Sequence, residues 1–452
     1  MDKKSRKRLC PASAVAPPGT PCYQKNMHSK VTNSAAKKAR FGWCLYDWAN
    51  SAFATVVLAA VLPVYFVSLV PQGGVRLEFL SRPVSASSLW SLGVSLSMLL
   101  LFLAAPYLGA WTDRHAKHRQ MLLVPALCGS AATMLLFFAR DDMYVFALLA
   151  FMLANWCFAA ANIAYNSFLP ALARTGTEKD KLSARGFALG YIGGGLALLA
   201  VLMLTSQFQA LGFCTKGQAV RYGFLMTGLW WAIFTLPAYA MLRHTPAFTR
   251  QTFLPRGITG YLRIFAEIRG FPRLFRFLIA YLFYNDGIQT IIAVSAVFAR
   301  EEIGLDTSSI LGAFLMVQFL AAPGALMFGY IAQRTGARNA LLLSILVFMG
   351  VTVFAFVLKT NLQFWIMAGV VALVLGGSQA ASRSLYASLL PPDRYAEFFG
   401  FYAMSSKLSS IFGPFVFGGM AYLTGSIRGG ILSLVVFFVI GGAVLLGVKT
   451  RD

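Results

Sequence analysis

YDWANSAFATVV, residues 46–57, lies inside the first long apolar run of the chain, and its reading decides the fold. Asp47 and Asn50 interrupt what is otherwise a stretch of hydrocarbon-compatible side chains. A carboxylate in hydrocarbon costs about 3 kcal/mol or more unless it faces a bundle interior or a watery cavity. The run therefore predicts a membrane-spanning helix that turns one polar face towards a protected path.

Outward from it the same pattern repeats. The 452 residues are 58% hydrophobic and only 12% charged, where a soluble chain carries about 25% charged residues. Apolar runs of about 20 residues, enough for a hydrocarbon core of about 30 Å, recur throughout. They fall at 41–68, 88–112, 119–139, 143–168, 185–208, 221–242, 274–299, 309–332, 338–358, 362–386, 397–423 and 427–448. The expectation is an all-α, multi-pass membrane protein of twelve transmembrane helices. Residues 1–40, rich in Lys, Arg and Pro with Asp2 the lone acid, read as a disordered basic tail, and Met1 and Met27 are both candidate starts. An N-terminal six-helix half (41–242) and a C-terminal half (274–452) flank a linker at 243–273. In the linker Ile258, Tyr261, Leu262, Phe265 and Ile268 fall at helical spacing opposite Arg263, Glu267 and Arg269, the pattern of an amphipathic helix lying on the membrane surface.

The net charge of +23 suggests nucleic-acid binding until its distribution is considered. Of 39 Lys and Arg, only Arg76, Arg82, Arg140, Lys216, Arg221, Arg300, Lys359 and Arg428 fall in loops on the side away from the tail. This asymmetry is the positive-inside pattern and places both termini in the cytoplasm, in keeping with a bacterial inner membrane. Attraction to anionic lipid is a secondary consequence, and no nucleic-acid partner is expected. The six cysteines lack metal-ligand or redox spacing. His115 and His118 read as a solvated loop face rather than a metal site. No ATP motif is present, so neither a cofactor nor an enzymatic reaction is expected.

The halves echo each other. Gly109-Ala-Trp-Thr-Asp113-Arg114 follows the second run and Gly329-Tyr-Ile-Ala-Gln333-Arg334 the eighth, at one offset of 220 residues. Two six-helix repeats with a basic loop after the second helix of each match the major facilitator architecture. The first loop resembles that superfamily's G-x-x-x-D-R-x-x-x-R pattern. There Asp113, with Gly109 and Arg114, can latch a cytoplasmic gate by capping a neighbouring helix N-terminus or pairing with a base. The plain alternative is a turn with ordinary basic residues. Gln333 cannot supply the same charge, so a latch would be asymmetric.

In such transporters helices 1, 4, 7 and 10 surround the substrate cavity, and here they carry one polar stripe each. Helix 1 has Asp47, Asn50 and Ser51; helix 4 has Asn155, Asn162, Tyr165 and Asn166; helix 7 has Asn285, Asp286 and Gln289; helix 10 has Gln379, Arg383 and Tyr386. Arg383 is the strongest candidate, because a guanidinium cannot shed its charge and grips a carboxylate with two donors. Its partner is a substrate carboxylate, or Asp47 or Asp286, or it snorkels to the interface. Asp47 and Asp286 can each take a proton, or pair permanently with Arg383 or Lys407. Lys407 reads as snorkelling towards the cytoplasm. Gly186, Gly190 and Gly194 recur every fourth residue, as close helix approach requires.

Together YDWANSAF (46–53), GFALGYIGGG (186–195), YNDGIQT (284–290), GGSQAASRSLYA (376–387) and AEFFGFY (396–402) resemble the vacuole-effluxer-like family, the fungal vacuolar amino-acid effluxer and its bacterial homologues. The resemblance implies alternating-access export of amino acids or similar small polar solutes. In that reading Arg383, Asn50, Asn162, Tyr165, Asn166, Asn285, Gln289 and Gln379 bind substrate, and Asp47 or Asp286 carries a coupling proton. Arg383→Ala should then remove binding without unfolding the chain. A lipid or lysolipid flippase of the same fold, favoured by a laterally open apolar cavity, and a non-transporting sensor are the competing expectations.

Overall fold

The computed structural model describes residues 33–71, 74–75, 83–245, 266–392, 394–409 and 412–449. In chain order, α1 is Asn33–Ala52 and runs on through a π-helical stretch, Phe53–Ala60, into a short helix Leu62–Leu69. Next come α2 (Ala86–His115), α3 (His118–Leu135), α4 (Tyr144–Ser167), α5 (Gly176–Ser206) and α6 (Lys216–Met241). The second set starts with α7 (Pro272–Glu301), α8 (Thr307–Thr335), α9 (Ala337–Val357) and α10 (Asn361–Leu389). It ends with α11 (Tyr395–Leu408), a separate helix Phe412–Thr424, a short helix Ile427–Ser433 and α12 (Val435–Leu446).

Among the described residues ten helices are long and apolar enough to cross a membrane, and the bent α1 run makes an eleventh. The remaining expected run, 397–423, is divided between α11 and Phe412–Thr424, of 14 and 13 residues. Both are shorter than the roughly 20 residues a span needs, so they cross only as a pair. The expected surface helix at 258–268 falls outside the described residues except at its end.

Local sequence explains the helix starts. Thr175 and Glu178 form a capping box at α5: the Thr175 hydroxyl accepts the Glu178 N–H and the Glu178 carboxylate accepts the Thr175 N–H. Thr360 and Gln363 repeat the arrangement at α10. At the far end of α1 the π-helical stretch inserts extra backbone, and the chain bends by 46° into Leu62–Leu69, where Pro63 has no N–H to give.

The glycine stripe of α5 lies against α1. A Cβ on Gly190 would come within 2.7 Å of Ser51 Oγ and 3.3 Å of the Asp47 carbonyl, and one on Gly193 within 2.7 Å of the Trp48 carbonyl. Only a residue without a side chain lets the two backbones meet this closely. Gly190→Val is therefore expected to cost about 1–3 kcal/mol and to lower the melting temperature of the detergent-purified protein by several degrees. An unchanged melting curve would show that α1 and α5 have room to part.

Both described chain ends lie on one face. Arg40 near the start of α1 donates to the Leu172 carbonyl after α4 (2.9 Å), and Arg338 after α8 donates to the Val448 carbonyl (3.1 Å). This is called the termini face below.

Candidate functional site

Four helices deliver the central cluster. Arg383 of α10 is 3% exposed and Asp47 of α1 is 7% exposed. Nη1 and Nη2 of Arg383 lie 3.1 and 3.2 Å from the same Asp47 oxygen, Oδ2. Tyr165 of α4 donates its hydroxyl to that oxygen at 2.5 Å. From α5, the Ser183 hydroxyl accepts Arg383 Nε–H (3.0 Å) and the Ser183 carbonyl accepts Nη2–H (2.9 Å). Aromatic rings enclose the guanidinium: Phe187 at 4.0 Å and Trp43 at 4.6 Å from Cζ, with Trp43 stacked on Tyr165 and donating its indole N–H to the Tyr165 carbonyl. A cation over ring faces is attracted to their negative quadrupole, most strongly where water is excluded. Of the partners expected for Arg383, the structure shows Asp47.

The pair closes the floor of a cavity of about 560 Å³ between the two six-helix sets. Asp47, Asn50, Ser51, Asn162, Asn166, Gln289, Gln379 and Arg383 all line it. The Asn50 amide donates to Asn162 Oδ1 (3.1 Å), and the Tyr191 hydroxyl donates to Gln379 Oε1 (2.7 Å). The Asn166 amide oxygen is buried with no partner. Away from this floor the walls turn apolar, with Leu58, Phe298, Ile310, Phe314 and Ile431, and reach the far ends of α1 and α7. The cavity faces away from the termini face.

Not every polar stripe meets it. Tyr165 stands behind Asp47 as a positioning residue. The Asn285 amide donates to the Ser409 hydroxyl at 2.5 Å, and Asp286 accepts the Gly413 N–H at 2.8 Å, so these two α7 residues face α11 and the helix after it. Asn155 is absorbed in packing, donating to the Ser97 hydroxyl. The Lys407 side chain lies outside the described residues.

The termini face is held shut by a second set of contacts. Asp113, fully buried at the end of α2, accepts the N–H groups of Ala396 (3.1 Å) and Glu397 (2.7 Å), the first turn of α11. A carboxylate there satisfies otherwise orphan donors and meets the positive end of the helix dipole. Gly109 makes the approach possible, since a Cβ on it would collide with the Ala396 carbonyl. Arg114 stands exposed beside the latch. His118 is not a solvated loop residue: it opens α3, is 5% exposed, and its Nε2 lies 2.8 Å from Asp113 Oδ1. Spacing alone could not reveal this, because the turn at Ala116 folds α3 back onto the end of α2. Between α5 and α10, Lys179 donates to the Ala387 carbonyl (3.1 Å), Ser183 to the Ala380 carbonyl (2.8 Å) and Ser384 to Asp180. At the repeat position Gln333 bonds its own helix, at the Gly329 carbonyl, and no other partner among the described residues.

A sequence model described as "Vacuole effluxer Atg22 like" matches residues 35–452. The chain belongs to this family. An "uncharacterized MFS-type transporter YxiO" of Bacillus subtilis strain 168 is 33% identical over 421 residues, covering 90% of this chain and 94% of that protein. Autophagy-related protein 22 of Saccharomyces cerevisiae strain S288c is 24% identical over 487 residues, 89% of this chain and 90% of that one. Among solved structures, the human organic anion transporter MFSD10 superposes with a TM-score of 0.71 at 14% identity, over 91% of this chain and 99% of that one. A bacterial ferroportin homologue in an outward-facing state gives 0.67 at 14% identity, over 92% and 100%. The chain therefore has the major facilitator fold and is an integral, multi-pass membrane transporter of that type.

Proposed function

We propose that this family member moves amino acids by alternating access, as an exporter in a bacterial inner membrane with both termini cytoplasmic. It catalyses no reaction. The observation that carries the substrate class is the Asp47–Arg383 pair at the cavity floor. Breaking a buried pair strands both charges unless the incoming solute replaces both partners. A zwitterion does so: its carboxylate takes the Arg383 fork and its ammonium takes the Asp47 carboxylate, with Asn166 Oδ1 as a further acceptor. A simple carboxylate or a simple amine leaves one charge stranded. The apolar upper walls suit a hydrophobic side chain.

The test is counterflow in proteoliposomes with labelled amino acids, beside their deaminated and decarboxylated analogues. Amino acids with apolar side chains should exchange, and each analogue, losing one charge-assisted partner worth about 1.5–3 kcal/mol, should compete at least about tenfold less well. Absence of exchange for every amino acid would sink the reading.

A second reading follows from the same apolar walls and from Phe415, Tyr422 and Leu423, which are 81%, 87% and 76% exposed on the helix after α11. They suit an amphiphile such as a lysolipid entering from the bilayer. Competition by lysolipid, but not by amino acids, would favour it.

A further inference from the structure

Asp286 is fully buried on α7, lies outside the cavity lining, and forms no ion pair among the described residues. Its Oδ2 accepts the Gly413 N–H at 2.8 Å, while Oδ1 is buried without a partner among the described residues. One helical turn on, the Thr290 hydroxyl is also buried and unpartnered. Both atoms converge on Gly413: a Cβ there would meet Thr290 Oγ1 and, at 2.7 Å, Asp286 Oδ1. Gly413 is the buried residue of the helix Phe412–Thr424, and it stands in that helix's first turn.

We infer that Asp286 is a proton-binding site outside the substrate cavity, whose charge state fastens or frees the helix Phe412–Thr424. The inference rests on the transport reading for its role, though not for its chemistry. With one N–H donor and no cation among the described residues, the ionised carboxylate is a stranded charge; the neutral acid is not, and its O–H has the Thr290 hydroxyl as a neighbouring acceptor. A metal cation would find two oxygens to bind but also the positive end of the helix, which disfavours it. Once ionised, Asp286 caps the start of that helix more strongly, while its later part packs on Ile427–Ser433 and, through Phe417, beside Phe298 and Ile431. Proton loss and gain thus tighten and loosen the segment beside the cavity mouth.

Among the described side chains, the charged and titratable neighbours supply no alternative partner. Arg383 on α10 is saturated by Asp47, Tyr165 and Ser183, and Tyr284 on α7 bonds Ser382. Tyr402 and Lys407 stand on α11, the latter with its side chain outside the described residues, Tyr422 is exposed on Phe412–Thr424, and α12 has no ionisable residue.

Wild-type proteoliposomes loaded for counterflow establish the substrate first. A gradient of one pH unit should then drive about tenfold accumulation for one proton per solute, and a sodium gradient none. The near-isosteric Asp286→Asn should lose this accumulation. Infrared difference spectra between acid and alkaline pH should show a protonated-carboxyl carbonyl band in wild type that disappears in Asp286→Asn and shifts in Thr290→Val. If Asp286→Asn does not fold, Thr290→Val carries the test, because it keeps the carboxyl and alters only its neighbour. Failed counterflow would sink the transport reading and leave the infrared band to judge the proton. Sodium-driven accumulation, a band that survives Asp286→Asn, or no band in wild type would overturn the inference.

Discussion

Arg383→Ala is expected to cost about 3–5 kcal/mol of stability and to abolish amino-acid exchange. The stability loss differs from what the sequence led us to expect, and the geometry gives the reason. Removing the guanidinium leaves Asp47, 7% exposed, with the Tyr165 hydroxyl as its remaining side-chain donor among the described residues. It also removes the donors that join α10 to Ser183 on α5, and the cation from between Trp43 and Phe187. The double variant Asp47→Asn/Arg383→Gln separates stability from recognition, since it removes both charges and strands neither. It should regain most of the lost melting temperature and still fail to exchange, because a zwitterion no longer finds either counter-charge. The cycle built from the two singles and the double should show a coupling well above the scatter of about 0.5 kcal/mol expected of independent sites. Wild-type melting and exchange in Arg383→Ala would remove the pair from both roles.

How far the site was legible follows from what a sequence period encodes. A helical period fixes which residues share a face, so the stripes on α1, α4 and α10 were readable; Asp47, Asn50, Ser51, Asn162, Asn166, Gln379 and Arg383 line one cavity, while Asn155 and Tyr386 bond elsewhere. It does not fix which neighbour that face meets. On α7, Gln289 reaches the cavity while Asn285 and Asp286, within one turn of it, turn to Ser409 and Gly413. Trp43, Phe187 and Tyr191 were unreadable for another reason: an aromatic residue in an apolar run looks like core until a cation or an amide stands beside it. The π-helical Phe53–Ala60 left no mark either, since FATVVLAA suits an ordinary helix equally well. Of the fold, the apolar runs were plain; the division of 397–423 into two helices was not, because Ser405–Ser410 and Gly413 interrupt no hydrophobic period strongly enough to announce a break.

The latch is the place where a single polar change should alter the balance of conformations. Asp113→Asn is expected to lower the share of the state closed on the termini face by roughly ten- to hundredfold. That is the loss of about 1.5–3 kcal/mol of charge-assisted bonding in a two-state balance. The asparagine oxygen can accept one of the Ala396 and Glu397 N–H groups, but its amide then presents donors to the other. His118 loses its anionic partner in the same step. Spin labels at the exposed positions Arg114 and Asn339, in a chain freed of native cysteines, report the width of this face. The distance distribution should move to longer values in Asp113→Asn. An unchanged distribution would mean that the α5–α10 contacts through Lys179, Ser183 and Ser384 hold the face by themselves. Two contacts to carbonyls, from Lys179 and Ser183, and one from Ser384 to Asp180 stand there against a buried carboxylate that accepts two helix-end amides and also meets the positive end of that helix. Among the described residues Gln333 bonds its own helix at the repeat position, so no mirror-image carboxylate latch takes up the loss there.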